Sequence, residues 1–93
     1  MISKANQRRL IKEAMKTIED QTGPNCIKFV DNNKYRGYLH IVEDGGCWSY
    51  VGYHAQRQPL SLNRRGCMIE GTIIHELVHA LGFVKSVDYH TYK

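Results

Sequence analysis

Two histidines stand four residues apart, the first followed by a glutamate, in the run His75-Glu76-Leu77-Val78-His79. Residues four apart lie on one face of an α-helix, so a helix here projects both imidazoles to the same side. Such a pair can hold one Zn²⁺ through its ring nitrogens. The run therefore predicts a zinc-binding helix with His75 and His79 as metal ligands.

Glu76 sits one step round that helix from His75, where its carboxylate can reach a metal-bound water without ligating the metal. Zinc lowers the pKa of bound water to about 7, and Glu76 can accept its proton as the water attacks a peptide carbonyl. The alternative is that both histidines are ordinary surface or core residues. An unpartnered imidazole is costly in a mostly buried helix, which favours the metal site. The apolar neighbours are Ile73, Ile74, Leu77 and Val78.

The 93 residues suffice for one small domain. An amphipathic helix is predicted from an N-cap at Ser3 to a helix end at Gly23-Pro24. Four β-prone runs follow, and then a second helix over 69–81 that Gly82 ends. The runs cover 26–30, 38–42, 48–53 and 60–62. The pattern predicts an α+β fold with a long helix, a small twisted β-sheet and the zinc-binding helix.

The net charge is +4, with basic residues concentrated in the first helix and around Arg57, Arg64 and Arg65. Acidic residues interrupt the first cluster, which favours a solvated charged face over an acidic partner such as nucleic acid. No apolar run reaches membrane-spanning length, so no transmembrane segment is expected. The N-terminal residues lack the pattern of a signal peptide, which leaves a cytosolic protein or a piece of a longer one as the expectation.

The run from Gly71 to Phe83 resembles the zinc helix of the astacin family of metalloendopeptidases. The run from Gly46 to Gly52 resembles a second stretch of that family. Leu60-Ser61-Leu62, leading to Gly66-Cys67, resembles a third stretch, and the order and spacing are kept. The resemblance covers roughly 3–83, the N-terminal half of a zincin-like peptidase domain. It implies a zinc-dependent endopeptidase that is secreted and acts on peptide or protein substrates.

The resemblance also implies roles for single residues. His75 and His79 would ligate one Zn²⁺ per chain, and Glu76 would be the catalytic base. Cys47 and Cys67 would form a disulfide, and their places beside two strands that can fold back on each other suit that pairing. Cys26 would match a cysteine whose partner lies in the other half of the domain, which accounts for an odd count of three cysteines.

The run containing Trp48, Ser49 and Tyr50 would be the edge strand that binds an extended peptide by β-augmentation. For the two aromatic side chains, packing into the core is an equally acceptable interpretation from the sequence. The three residues are therefore predicted as a substrate-binding strand, with the aromatic roles left open.

The sequence departs from the family pattern just after the zinc helix. The third zinc ligand is expected six residues after His79, and that position is Lys85, whose ammonium has no lone pair to donate. Ser86 stands where a glutamate is expected. Asp88 or His90 could supply the third ligand, although neither has the expected spacing. The chain is therefore interpreted as a single truncated domain over 1–93, family-like over 3–83, with a divergent tail over 84–93.

Two functions follow from this sequence. The first is a zinc metalloendopeptidase with Glu76 as base, impaired in this chain because a catalytic zinc normally has three protein ligands. The alternative is an inactive fragment or a module that binds a peptide or partner, with weak zinc binding or none.

Overall fold

The computed structural model describes residues 4–23, 26–31, 37–54, 56–82 and 86–91, with the backbone alone described for 4, 86–88 and 90. The described chain contains two helices and five strands. In chain order they are α1 (Lys4–Thr22), β1 (Lys28–Asp31), β2 (Leu39–Val42), β3 (Cys47–Ser49), β4 (Gln58–Leu62), α2 (Glu70–Leu81) and β5 (Ser86–Thr91). This confirms the α+β fold predicted from the sequence.

The five strands form one sheet in the order β1-β5-β2-β4-β3. The first four strands in that order run parallel, and β3 runs antiparallel to β4. In the register of this last pair, Cys47 lies opposite Leu62, and Ser49 lies opposite Leu60. Among the described strands, β3 is hydrogen-bonded to β4 alone, so it is an edge of the sheet.

The hydrophobic core lies between the sheet and the two helices, which pack against each other. Burial of each large aliphatic side chain stabilises the fold by about 1.5–3 kcal/mol. The helix α1 supplies one stripe at three- and four-residue spacing, as the sequence predicts, and the central strands supply alternate residues. The largest buried side chains include Ile11, Leu39, Ile41, Leu60, Leu62, Ile73 and Leu77.

Strand β5 has no counterpart among the elements predicted from the sequence. It lies between β1 and β2, and its backbone pairs with both in parallel, with Tyr89 opposite Asp31 on one side and Leu39 on the other. The last strand along the chain therefore joins β1 to the rest of the sheet. Tyr89 is 5% exposed and belongs to the core. The segment predicted as a divergent tail thus includes a central strand.

The disulfide implied by the family resemblance is present between Cys47 and Cys67, with their Cα atoms 5.8 Å apart. It ties the first residue of the edge strand to the segment between β4 and α2. Cys26 is a free, exposed thiol. In the described part of the chain, no helix is long and apolar enough to cross a membrane.

Candidate active site

Helix α2 buries one side in the core, whereas both of its histidines and Val78 are exposed. It begins at Glu70 and ends at Leu81, close to the predicted bounds. Glu70 in the first turn suits the positive N-terminal end of the helix dipole. The helix packs on α1, β3 and β4. The buried side chains are Ile73, Glu76, Leu77, Ala80 and Leu81.

His75 and His79 lie one turn apart on the outer side of α2. Their ring centroids are 4.2 Å apart with planes tilted by 50°, and both side chains are exposed. Two adjacent imidazoles with accessible nitrogens fit two of the ligand positions of a zinc ion. The chain's own helix therefore brings the two predicted ligands together.

No third metal ligand accompanies this pair among the side chains that the structure describes, in which no group of three His, Cys, Asp or Glu residues could hold a metal. Lys85 lies outside the described residues, and so do the side chains of Asp88 and His90. The backbone of β5 places His90 opposite His40 on the neighbouring strand β2. Helix α2, in contrast, packs over β3 and β4.

Glu76 is buried, with 8% of its surface exposed, whereas the histidines beside it are exposed. The Ser49 hydroxyl lies within hydrogen-bond distance of two of its oxygens, at 3.0 Å from the carboxylate Oε1 and 3.1 Å from the backbone carbonyl. Ser49 belongs to β3, so one side chain links the edge strand to the predicted base. Sequence reasoning missed this contact, because the two residues are 27 positions apart and no local pattern joins them.

Trp48 and Tyr50 form an edge-to-face pair with ring centroids 6.0 Å apart. Tyr50 is 53% exposed, and Trp48 is partly buried with its indole N–H donating to the carbonyl of Asp44 at 3.1 Å. Neither residue belongs to the hydrophobic core cluster. The interpretation of Tyr50 as a core residue is therefore wrong, and its exposed ring is available to a ligand.

The predicted strand over 48–53 is wrong for its last four residues, because β3 ends at Ser49 and Tyr50 follows it. The chain beyond is hydrogen-bonded to α2 and to a buried glutamine. The Gly52 N–H donates to the carbonyl of His79 at 2.8 Å. The Gln58 amide donates to the carbonyl of Gly52 at 3.0 Å and accepts from the His54 N–H at 2.8 Å. Sequence reasoning missed Gln58, since only the tertiary fold shows its role.

A polar cluster around Glu43 fixes the turn that leads into β3. The Gln7 amide donates to the Glu43 carboxylate at 2.6 Å, and the Arg64 backbone N–H donates to the same oxygen at 3.0 Å. Partial burial raises the pKa of Glu43, but the hydrogen bonds from Gln7 and Arg64 outweigh it, so the pKa lies below its usual value of 4.5. Ser61 accepts from the Asp44 N–H at 2.9 Å.

Comparisons with known proteins show which family this chain resembles. The family model described as Astacin, a family of peptidases, matches residues 2–90. Zinc metalloproteinase nas-4 of Caenorhabditis elegans is 46% identical over 78 residues, which is 82% of this chain and 24% of that protein. High choriolytic enzyme 2 of Oryzias latipes is 44% identical over 73 residues, which is 78% of this chain and 25% of that protein.

A solved structure has the same fold. High choriolytic enzyme 1, a hatching enzyme zinc-protease from Oryzias latipes, superposes with a TM-score of 0.74 at 39% identity, covering 88% of this chain and 39% of that one. The chain spans about a quarter of the length of the curated relatives it matches. The residues matched by the family model include the histidine pair, the buried glutamate and the edge strand, and on this evidence the chain belongs to the astacin family of peptidases.

Proposed function

We propose that this chain carries the zinc-binding helix, the general base and the substrate-binding strand of an astacin-type metalloendopeptidase. The observation that carries the proposal is the side-by-side arrangement of the His75 and His79 rings on the exposed side of α2, 4.2 Å apart. Membership of a family whose relatives include a named zinc metalloproteinase and a hatching enzyme zinc-protease supports it.

In this proposal His75 and His79 hold the metal through their ring nitrogens, and Glu76 serves as the base. A zinc ion held there would supply Lewis-acid chemistry, lowering the pKa of a water molecule and polarising a peptide carbonyl. Glu76 accepts a proton at its carboxylate, whose Oε1 lies 3.0 Å from the Ser49 hydroxyl.

The edge strand β3 supplies the place for the substrate. An extended peptide can continue the sheet there, since β3 pairs with β4 alone among the described strands. Ser49 lies at the end of β3, and the aromatic pair of Trp48 and Tyr50 flanks it. Main-chain hydrogen bonds then hold the peptide, and Tyr50 contacts its side chains.

We also propose that the protein works outside the cell. The Cys47–Cys67 disulfide is typical of an oxidising compartment. Relatives that match this chain include a hatching enzyme and choriolytic enzymes. Peptide or protein substrates, and no nucleic acid partner, remain the prediction from the sequence.

A second candidate is a peptide-binding module with weak zinc binding. It is favoured by the donor set, since the described side chains supply two imidazoles and Lys85 stands where the third ligand is expected. Catalytic zinc sites normally have three protein ligands, so this chain should bind zinc less tightly than such sites and cleave peptides slowly.

Calorimetric zinc titration of the metal-free chain, followed by a casein cleavage assay, tests the proposal. One zinc per chain should bind, His75→Ala and His79→Ala should each abolish binding, and His54→Ala, which removes another exposed imidazole, should leave it unchanged. Glu76→Gln should bind zinc and lose cleavage. Equal zinc binding by the wild type and the His75→Ala variant would overturn the proposal, and peptide binding without zinc would support the second candidate.

A further inference from the structure

The hydroxyl of Ser49 lies against two oxygens of one residue, the carboxylate Oε1 of Glu76 at 3.0 Å and its backbone carbonyl at 3.1 Å. A hydroxyl carries one proton, so it donates to one of these oxygens or shares the proton between them. With both acceptors within its reach, Ser49 holds the carboxylate on the side of α2 that packs against β3.

Glu76 depends on this contact because its side chain is buried. A buried carboxylate oxygen without a donor is strongly disfavoured. In the described part of the chain, the Ser49 hydroxyl is the side-chain donor within reach of Oε1. Without it, the most favourable response of the side chain is to rotate toward water, away from β3.

We propose that Ser49 is a positioning residue for Glu76. Its hydroxyl binds Oε1 and selects one side-chain conformation of Glu76. Because Ser49 is itself part of the edge strand, it also sets the distance between the base and a peptide bound along β3. This inference deepens the proposed function and rests on it, since Glu76 is the base only if that function holds.

The segments on either side of strand β3 are anchored, one of them to helix α2. Just after β3, the Gly52 N–H donates to the carbonyl of His79, about one turn of α2 beyond Glu76. The disulfide at Cys47 fixes the other end of β3. With the strand anchored on both sides, the position of the Ser49 hydroxyl relative to α2 is well determined, as a positioning role requires.

The test compares Ser49→Thr with Ser49→Val in the metal-free full chain. The two side chains have the same shape and both suit a strand, so they differ in the hydroxyl alone. The readout is the side-chain conformation of Glu76, from the shifts and couplings of its γ-methylene protons in a ¹³C-glutamate-labelled sample. We expect wild type and Ser49→Thr to show one dominant rotamer. In Ser49→Val its preference should fall about tenfold, because a hydrogen bond to a charged group is lost.

Ser61→Ala is the control for a merely structural effect. Ser61 is a buried serine on the adjacent strand β4, and its hydroxyl contacts Asp44 and Gly46, not Glu76. It should leave the Glu76 rotamer unchanged even if it lowers stability. Unchanged Glu76 signals in Ser49→Val, or equal changes in Ser49→Val and Ser61→Ala, would overturn the inference.

A kinetic comparison separates this inference from the proposed function. In a cleavage assay with a casein-derived peptide as substrate, Ser49→Val should lower kcat about tenfold and leave KM within about twofold, since the backbone of β3 is unchanged. The rotamer measurement needs neither zinc nor cleavage. A chain that binds no zinc therefore contradicts the proposed function, whereas a Glu76 rotamer insensitive to the hydroxyl contradicts the role of Ser49.

Discussion

The backbone N–H of Gly52 donates a 2.8 Å hydrogen bond to the carbonyl of His79, which joins the segment after the edge strand to the last turn of helix α2. Gly82 follows that turn with φ 60° and ψ −130°. A Cβ on Gly82 would lie 3.5 Å from the Cα of Gly52 and from the backbone nitrogen of Tyr53. Gly52 and Gly82 therefore approach each other closely next to His79, one of the two histidines of the pair.

The first prediction concerns Gly82→Ala. A residue with a side chain is strained at this backbone conformation, so the substitution should lower the free energy of unfolding by about 1–2 kcal/mol. Thermal denaturation should show a fall in Tm of roughly 4–8 °C for each kcal/mol. The control is Gly71→Ala, in helix α2 with open space around the added Cβ, which should raise stability by about 0.5–1 kcal/mol. If Gly82→Ala left the free energy of unfolding unchanged, the predicted backbone strain at position 82 would be contradicted.

The second prediction concerns the Cys47–Cys67 disulfide, which closes a loop with a sequence separation of 20. Replacing both cysteines with serine should lower the free energy of unfolding by about 3 kcal/mol, because the unfolded chain regains conformational freedom. Urea denaturation measures the loss. Cys26→Ser is the control and should leave the urea midpoint unchanged, since that thiol is exposed and free. An equal midpoint for the double variant and the wild type would show that the disulfide contributes nothing.

The α+β fold could be predicted from the sequence, because local residue patterns indicate its helices and strands. The family and the disulfide could be predicted from the resemblance of short runs to that family. The periodicity of α2 and the cysteine positions within family-like runs are examples. Strand β5 and the end of β3 at Ser49 could not be predicted from the sequence, because they depend on which strands pair in the folded sheet. The roles of Glu76, His75 and His79 remain predictions that their arrangement on α2 supports.

The third prediction concerns Tyr89 in strand β5, where burial, together with the carboxylates of Asp31 and Glu19, raises the pKa of the phenol from 10.0 to about 12. In this pH range the unfolded chain loses the Tyr89 proton first, so the free energy of unfolding should fall from pH 10 to about pH 12. The loss is on the order of 2 kcal/mol. Absorbance at the tyrosinate band should show a late-titrating phenol that Tyr89→Phe removes. Complete tyrosine ionisation near pH 10 in the folded chain would contradict the burial.

The fourth prediction concerns Glu43, whose pKa in the folded chain lies below its usual value of 4.5. Its ionised form is favoured by folding, so this contribution to stability is present above about pH 4.5 and is lost as the pH falls through the folded pKa. Glu43→Gln should flatten the dependence of the urea midpoint on pH below that value. Arg64→Met should flatten it in part, because the Gln7 amide and the backbone N–H at position 64 still donate to the carboxylate. If the urea midpoint of Glu43→Gln depended on pH as steeply as that of the wild type, the hydrogen bonds to Glu43 would not contribute to stability as predicted.

The central claim is that His75 and His79 together bind zinc. Long-range ¹H–¹⁵N spectra of the histidine rings, recorded on the metal-free chain and after one equivalent of Zn²⁺, test it most directly. The account predicts that one ring nitrogen of each of these two residues shifts to the position of a metal-bound nitrogen, while the exposed ring of His54 stays in place. If the His75 and His79 signals do not move, or if they move no more than that of His54, the proposed zinc site is wrong.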